Sequence, residues 1–229
     1  MKKLNEQARI NLERAFAGDG GVMFDLARSI IRVIGTRALP RKAELGLLLQ
    51  QASVISDVIS KEVACKKRCT HCCNMATVMS SDEAAYIGAL IGVTPMRVTP
   101  GVRPQKDLVA KYVNVPCPFL DKGKGGCTIY GHRPLVCRTM FNASSDETRC
   151  DTSTGTHAFP MVNMGFTESA YARLFINNPA PHTLTDIREF FPDGLNTKPD
   201  LEMVKVSCGG KTYLAVDMTD KKLLYLSRE

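Results

Sequence analysis

The chain has 229 residues, of which 44% are hydrophobic and 23% charged, and it carries a net charge of +7 with a pI near 9.0. This composition can form a buried core and excludes a chain that is disordered throughout. The sequence has neither an apolar run of the roughly 20 residues that cross a bilayer nor a signal-peptide pattern. We therefore expect a cytoplasmic protein with no membrane partner.

The first 64 residues are predicted to form helices. Apolar residues recur there at spacings of three and four, which is the pattern of one helix face. The first helix is expected to stop at Asp19-Gly20-Gly21 and the second to begin near Met23. The third should begin near Pro40 and lead directly to Cys65. We interpret the apolar faces as core packing rather than as a groove for a partner.

The middle of the chain is predicted to contain one clear helix between loops. Ser80 and Glu83 have the spacing of a capping box, which predicts a short helix that runs to about Gly92. Residues 93–116 contain four prolines and are expected to form a loop with at most a short helix. Residues 117–155 are rich in small and polar residues and have little apolar material, so we expect metal bonds to hold them.

The last third of the chain is predicted to contain two helices, over residues 167–177 and 185–191, followed by a small sheet. Three runs of alternating polarity predict an antiparallel meander, at residues 203–206, 213–216 and 223–226.

The predicted fold class is α+β. It is mainly helical, with a metal-organised, loop-rich cysteine region and a small C-terminal antiparallel β meander. We divide the chain into an N-terminal helical segment (1–64), a cysteine-cluster metal-binding region (65–155) and a C-terminal segment of helices and meander (156–229). These segments are expected to form one compact domain.

Cysteine is the residue type that points to a function. The chain has nine cysteines, and all but Cys208 lie between Cys65 and Cys150. An odd number of cysteines without an export signal favours reduced thiols, which in clusters are more often metal ligands or catalytic groups than disulfides. The candidate ligands are Cys65, Cys69, Cys72, Cys73, Cys117, Cys127 and Cys137. Cys150 stays open as an eighth ligand, and Cys208 is interpreted as a structural thiol.

The spacing of these cysteines suggests iron–sulfur chemistry. The spacing of Cys65, Cys69 and Cys72 lets three thiols converge on one point, whereas the adjacent Cys72 and Cys73 diverge and rarely bind one ion together. Three close cysteines with distant further ones favour a 4Fe-4S cluster over zinc, although two metal centres are also compatible. Nearby cations favour thiolates. They are Lys66, Lys67, Arg68, Arg133 and Arg138.

Three stretches together resemble a known family. They are the group that ends in Cys72-Cys73, then Cys117-Pro118-Phe119-Leu120, then the run from Cys127-Thr128-Ile129-Tyr130 to Arg133-Pro134-Leu135-Val136-Cys137-Arg138. This combination resembles the CxxCxxCC zinc- or iron-chelating domain, also called the YkgJ-type cysteine-cluster family, to which the flagellin lysine methylases look related. The resemblance implies metal binding. It also suggests methyl transfer from S-adenosylmethionine to a protein lysine, with the cluster taking part.

Two further interpretations stay open. The family usually has two residues between its first two cysteines, whereas three separate Cys65 from Cys69, which is the spacing of radical S-adenosylmethionine enzymes. Those enzymes carry the motif after a barrel strand, and here it follows a helix. A zinc-stabilised nucleic-acid binder would explain the high pI, but the sequence has no basic patch interleaved with aromatic residues. The sequence identifies no protein partner or substrate.

Overall fold

The computed structural model describes residues 2–36, 39–66, 68–151, 164–176, 183–197, 203–208, 211–216 and 224–228. The chain forms two compact units, Met1–Thr197 and Lys198–Glu229. The helices of the first unit are α1 (Lys2–Ala15), α2 (Asp19–Arg32), α3 (Arg41–Ile59), α4 (Ser81–Ile91), α5 (Gln105–Tyr112), α6 (Leu135–Thr139), α7 (Gly165–Ile176) and α8 (Ile187–Phe190). Its strands are β1 (Val78–Ser80), β2 (Gly101–Val102) and β3 (Thr183–Asp186). The fold class is α+β, as predicted.

An apolar cluster holds the helical part of the first unit together. Helix α3 lies at its centre, with Leu48, Ile55 and Ile59 fully buried, and it packs against α2 and α7. These are residues of the predicted apolar face, so the interpretation of that face as core packing is confirmed. Ile31 of α2 and Leu174 of α7 complete the contact. Burial of apolar surface is therefore the main stabilising force in this part of the fold.

The boundary between α1 and α2 differs from the prediction. Gly20 and Gly21, expected to stop a helix, lie inside α2, and the turn is made by Gly18 with a positive φ of 56°. A Cβ atom on Gly20 would lie 2.2 Å from the carbonyl oxygen of Ala15, and one on Gly21 would lie 2.4 Å from that of Phe16. The two glycines are needed because the start of α2 passes close to the end of α1.

A small mixed sheet, missed by the sequence analysis, lies under the cysteine region. Its strand order is β1-β3-β2, with β1 antiparallel and β2 parallel to β3. Thr185 is therefore in a strand, and the helix predicted from that residue begins only at Ile187. A second apolar cluster, which includes Phe119 and Phe191 in edge contact, packs beside this sheet.

The second unit is a three-stranded antiparallel sheet. It consists of β4 (Met203–Cys208), β5 (Lys211–Val216) and β6 (Leu224–Arg228), in that order. The predicted meander is confirmed, with an irregular register between Leu214 and Ala215. The sequence also predicts a turn at Gly209-Gly210, which lies outside the described residues, as does the Cys208 side chain. None of the helices in the described ranges combines the length and the apolar character that crossing a bilayer requires.

Candidate metal centre

The structure describes the side chains of eight of the nine cysteines, and all eight are free thiols. Cys150 is buried and the other seven are partly exposed. They are Cys65, Cys69, Cys72, Cys73, Cys117, Cys127, Cys137 and Cys150. Because none forms a disulfide, all eight remain available as donors.

The first cysteine stretch is a tight turn joined to the second stretch by backbone hydrogen bonds. Cys72 and Cys73 lie in a 3₁₀ turn, His71–Asn74. The N–H of Cys117 donates to the carbonyl of Cys73 (2.7 Å), and that of Asn114 donates to the carbonyl of Asn74 (2.9 Å). These bonds bring Cys73 and Cys117 side by side although they are far apart in the sequence.

The thiols of Cys72 and Cys73 interact with each other. Their interaction lowers the pKa of Cys72 and raises the pKa of Cys73, so one of the two thiols ionises well before the other. Whether both bind the same ion stays a prediction.

The second cysteine stretch is a hairpin-like loop anchored by buried apolar residues. Leu120 and Cys127 form an isolated antiparallel bridge, and the N–H of Asp121 donates to the carbonyl of Gly126 (2.9 Å). Gly125 and Gly126 have φ values of 66° and 108°, which favour glycine. Phe119 is buried, and Cys117 and Cys127 both pack against the apolar cluster that contains it.

Helix α6 positions Cys137, and a residue from another helix caps it. Pro134 precedes α6 and provides no side-chain cap, but Oε1 of the buried Glu83 accepts a hydrogen bond from the N–H of Leu135 (2.6 Å). Ser80 caps α4 as the predicted capping box requires, yet the Glu83 side chain turns to α6 and to the hydroxyl of Tyr171 (2.6 Å). Glu83, the second residue of the capping box, therefore caps α6, the helix that carries Cys137, instead of its own helix α4.

Two arginines organise the loop before α6. Arg138 is buried and donates to the carbonyls of Arg133 (2.6 Å) and Gly131 (3.0 Å), and also to the hydroxyl of Ser53. Arg133 stacks on the Tyr130 ring at 3.8 Å. Hydrogen bonds and burial therefore contribute to the order of the described part of residues 117–155, and the expectation that metal bonds hold this segment stays a prediction.

Asn142 joins two cysteines that are distant in sequence. Its N–H donates to Sγ of Cys65 (3.2 Å) and its Nδ2 donates to Sγ of Cys150 (3.3 Å). The side chain is fixed because its Oδ1 accepts from the hydroxyl of Ser144 (2.7 Å) and its Nδ2 also donates to the carbonyl of Asp146 (2.8 Å). Cys150, outside the predicted ligand set, is thus brought next to Cys65.

The thiols interact electrostatically in two neighbouring groups. The Asn142 group consists of Cys65, Cys69 and Cys150. The α6 group consists of Cys73, Cys117, Cys127 and Cys137. Cys72 interacts with members of both groups. The pKa of Cys65 is raised to about 12, and that of Cys137 is raised far above its usual value. Burial is the largest cause in both residues, and repulsion from neighbouring thiols adds to it.

Backbone N–H groups and arginines have the opposite effect: they lower the pKa values of several thiols and so stabilise the thiolate form. The N–H of the residue two positions later lowers the pKa of Cys69, Cys117 and Cys127 against the larger effect of burial. Those donors are His71, Phe119 and Ile129. Arg133 acts on Cys72 and Cys127, and Arg188 acts on Cys117. This environment is suited to sulfur ligands that become negatively charged on binding a metal.

The cysteine sulfurs are donors of the type that soft metals prefer, although the described side chains are not arranged as a complete ligand shell. Within the described residues, no three Cys, His, Asp or Glu side chains lie in an arrangement that holds a metal ion. The interactions among the thiols therefore show that they are neighbours, and the ligand set stays a prediction. Thiol donors suit zinc and iron–sulfur clusters rather than magnesium or calcium, which prefer oxygen.

Three supporting residues were missed by the sequence analysis: Glu83 as the cap of α6, Asn142, and Arg188. Glu83 alone had a local signal, since it was recognised as part of a capping box. Of the predicted cations, Arg68 lies beside Gly126 and Lys67 lies outside the described residues.

Comparison with known proteins gives one match. The family model for CxxCxxCC, described as a putative zinc- or iron-chelating domain, matches residues 64–154, which is less than half of the chain. The match supports the resemblance carried by the cysteine motifs, and it includes Cys150 and Asn142. No curated protein and no solved structure matches the chain.

Proposed function

We propose that the protein binds an iron–sulfur cluster through its cysteines, and the match of residues 64–154 to the model of the CxxCxxCC zinc- or iron-chelating domain supports metal binding in general. One observation carries the proposal. Eight free thiols from separate stretches of the chain influence one another's ionisation, and backbone N–H groups and arginines lie beside several of them. Burial keeps most of these thiols neutral, and a bound cation would stabilise them as thiolates.

Two features favour iron–sulfur ligation over zinc. Structural zinc sites are typically built from paired Cys-x-x-Cys turns, and only Cys69 and Cys72 have that spacing. Hydrogen bonds from backbone N–H groups to several cysteine sulfurs tune and stabilise iron–sulfur clusters. The α6 group would supply four thiols to a 4Fe-4S cluster, and the Asn142 group with Cys72 would supply those of a second centre.

Anaerobic purification followed by iron, sulfide and zinc analysis tests this function. We expect iron and acid-labile sulfide in equal amounts, with the visible absorption of a cluster. Stoichiometric zinc without sulfide would overturn the iron–sulfur assignment and keep metal binding. Protein that contains none of these and takes up neither zinc nor reconstituted cluster would overturn metal binding itself.

A second candidate function is methyl transfer from S-adenosylmethionine to a protein lysine, and a cavity next to α6 favours it. The cavity has a volume of about 460 Å³ and lies between the mixed sheet, α6 and α7. Val78, Leu135 and Leu184 line it with apolar surface, while Glu83 and Tyr171 add polar groups. Its size is within the range of small-molecule sites, and its apolar walls with a few polar groups suit the aliphatic part of a lysine side chain.

Calorimetry on cluster-loaded protein tests this second candidate. Binding of S-adenosylmethionine by loaded protein, lost when the cluster is removed, would support it. No binding by protein that demonstrably holds its cluster would overturn it. Nucleic-acid binding has no structural observation in its favour and stays a prediction from the charge alone.

A further inference from the structure

A buried ion pair lies outside the matched segment and contacts both cysteine stretches. Arg188 and Asp186 lie at the junction of β3 and α8, with 8% and 0% of their surfaces exposed. Nη1 of Arg188 donates to Oδ1 (2.8 Å) and Oδ2 (3.0 Å) of Asp186. A buried charge pair of this kind is weak evidence for a contribution to stability, so its other contacts must explain what it does.

The remaining donors of Arg188 bond to the backbone on both sides of the candidate centre. Nη2 donates to the carbonyls of Cys73 (3.3 Å), Met75 (3.3 Å) and Val115, and Nε donates to that of Pro116 (3.3 Å). The Cys73 carbonyl belongs to the turn that carries Cys72 and Cys73, and Met75 directly follows that turn. The other two carbonyls immediately precede Cys117 in the chain. One planar guanidinium therefore bridges the two stretches while its Nη1 binds Asp186, and a lysine could not keep all of these contacts with its single nitrogen.

Asp186 fixes the orientation of this guanidinium. Its Oδ2 accepts from the N–H of Thr77 (2.6 Å) and its Oδ1 accepts from the N–H of Arg188 (2.9 Å), so the carboxylate also caps α8. Thr77 precedes β1, and the N–H of Ile187 donates to its carbonyl (2.9 Å). The pair is thus anchored to the sheet, while Arg188 extends from it to the cysteines.

We propose that Arg188, oriented by Asp186, is a positioning residue for the metal centre, which sets the distance between the Cys73 and Cys117 thiols. This inference rests on the proposed metal-binding function. Its physical basis is that groups which support metal ligands determine how well the ligand geometry is formed before the metal arrives. The direct Cys117–Cys73 backbone bond fixes one point of contact, and Arg188 fixes the segments on either side of it.

Titration with Co²⁺, a spectroscopic substitute for zinc, tests the proposal in the full-length protein under anaerobic conditions. For Arg188→Gln we expect Co²⁺ affinity to fall about 10- to 100-fold, with a changed sulfur-to-cobalt absorption band. Arg188→Lys keeps the charge but cannot bind Asp186 and the carbonyls of both stretches at the same time, so it should restore neither affinity nor spectrum. It also replaces the Gln variant if that variant does not fold.

Arg173→Gln is the matched control. Arg173 also donates to backbone carbonyls, those of Ile34 (2.9 Å) and Arg32 (3.0 Å), but these lie at the end of α2, away from the cysteines. It should lower the melting temperature and leave the Co²⁺ affinity and spectrum as in the wild type. Unchanged Co²⁺ binding in a folded Arg188 variant would overturn the positioning role. Wild-type protein that binds neither Co²⁺ nor a reconstituted cluster would instead overturn the proposed function.

Discussion

The helical part and the cysteine part of the first unit differ in the contacts that hold them. In the helical part, side chains such as Leu48 and Ile55 are buried among other apolar residues. In the cysteine part, buried polar residues such as Arg138 and Asn142 bond to backbone carbonyls and to sulfur. Apolar contacts are non-directional, whereas hydrogen bonds fix the position of each group. Apolar contacts therefore supply most of the stability, and hydrogen bonds fix where the thiols lie.

Substitution of a proposed ligand should have the largest effect, and this effect should arise in the cysteine part alone. We expect Cys137→Ser and Cys69→Ser to lose bound metal and to lower the free energy of unfolding by several kcal/mol, since structural metal sites contribute on the order of 10 kcal/mol. Cys208→Ser is the control, because Cys208 lies in the separate C-terminal sheet. Metal analysis and chemical denaturation measure the outcome. Full metal content in Cys137→Ser would remove this residue from the ligand set.

Truncation of a core residue should destabilise the fold without changing the metal site. Leu48 is fully buried in α3, so Leu48→Ala should lower the free energy of unfolding by about 2–5 kcal/mol. Leu26→Ala is the control, because Leu26 is 63% exposed on α2 and should cost little. Below the unfolding transition, metal content per folded molecule should equal that of the wild type. A loss of metal in the folded Leu48 variant would show that apolar contacts in the helical part also determine the placement of the thiols.

Asn142 and Asn11 offer a sharper comparison, because both side chains are buried and bond to the same loop. Asn11 donates to the carbonyl of Ala143 (2.9 Å) and to the Ser145 hydroxyl (3.1 Å), but to no sulfur. Either change to Ala should cost about 1–3 kcal/mol of unfolding free energy. Only Asn142→Ala should also weaken metal binding, by about 10- to 100-fold. Asn142→Ala removes the side-chain bond to Cys150 and keeps the backbone bond to Cys65, so equal metal affinities in the two variants would show that the bond to Cys150 has no role in binding.

The smallest expected effect is a pH dependence from Glu83. Burial raises the pKa of Glu83 above its usual 4.5, so the folded state favours its neutral form. The unfolded state loses this proton first as pH rises, and stability should therefore fall from pH 4.5 upward to the folded pKa. Glu83→Gln stays neutral and should remove this slope in denaturation curves measured across the window.

Glu6→Gln is a control in which the pH dependence should change with the opposite sign. The exposed Glu6 has its pKa lowered by a hydrogen bond from Arg9, so its small contribution is lost as pH falls rather than as it rises. If wild type and Glu83→Gln showed the same pH dependence, the carboxyl of Glu83 would not be kept neutral by burial.

Local patterns in the sequence were sufficient for the existence of the longer helices and for the type of chemistry, but not for the α1–α2 boundary or for the short helix α6. The apolar face of α3 and the Ser80 cap of α4 depend on residues three or four positions apart, and such neighbours meet in any helix. The thiols are likewise recognisable as metal donors wherever they lie, because their affinity for soft metals belongs to the side chain itself.

Only the tertiary structure decided which residues support the thiols. Strand β3 pairs with β1 across more than 100 residues, and strands of three and four residues carry too little pattern to reveal such a pairing. The same applies to Arg188, whose carbonyl partners precede it by 72 to 115 residues, and to Glu83, whose bond to Leu135 spans 52. These contacts exist because packing brings distant segments together, and no local property of the residues encodes the distance between them.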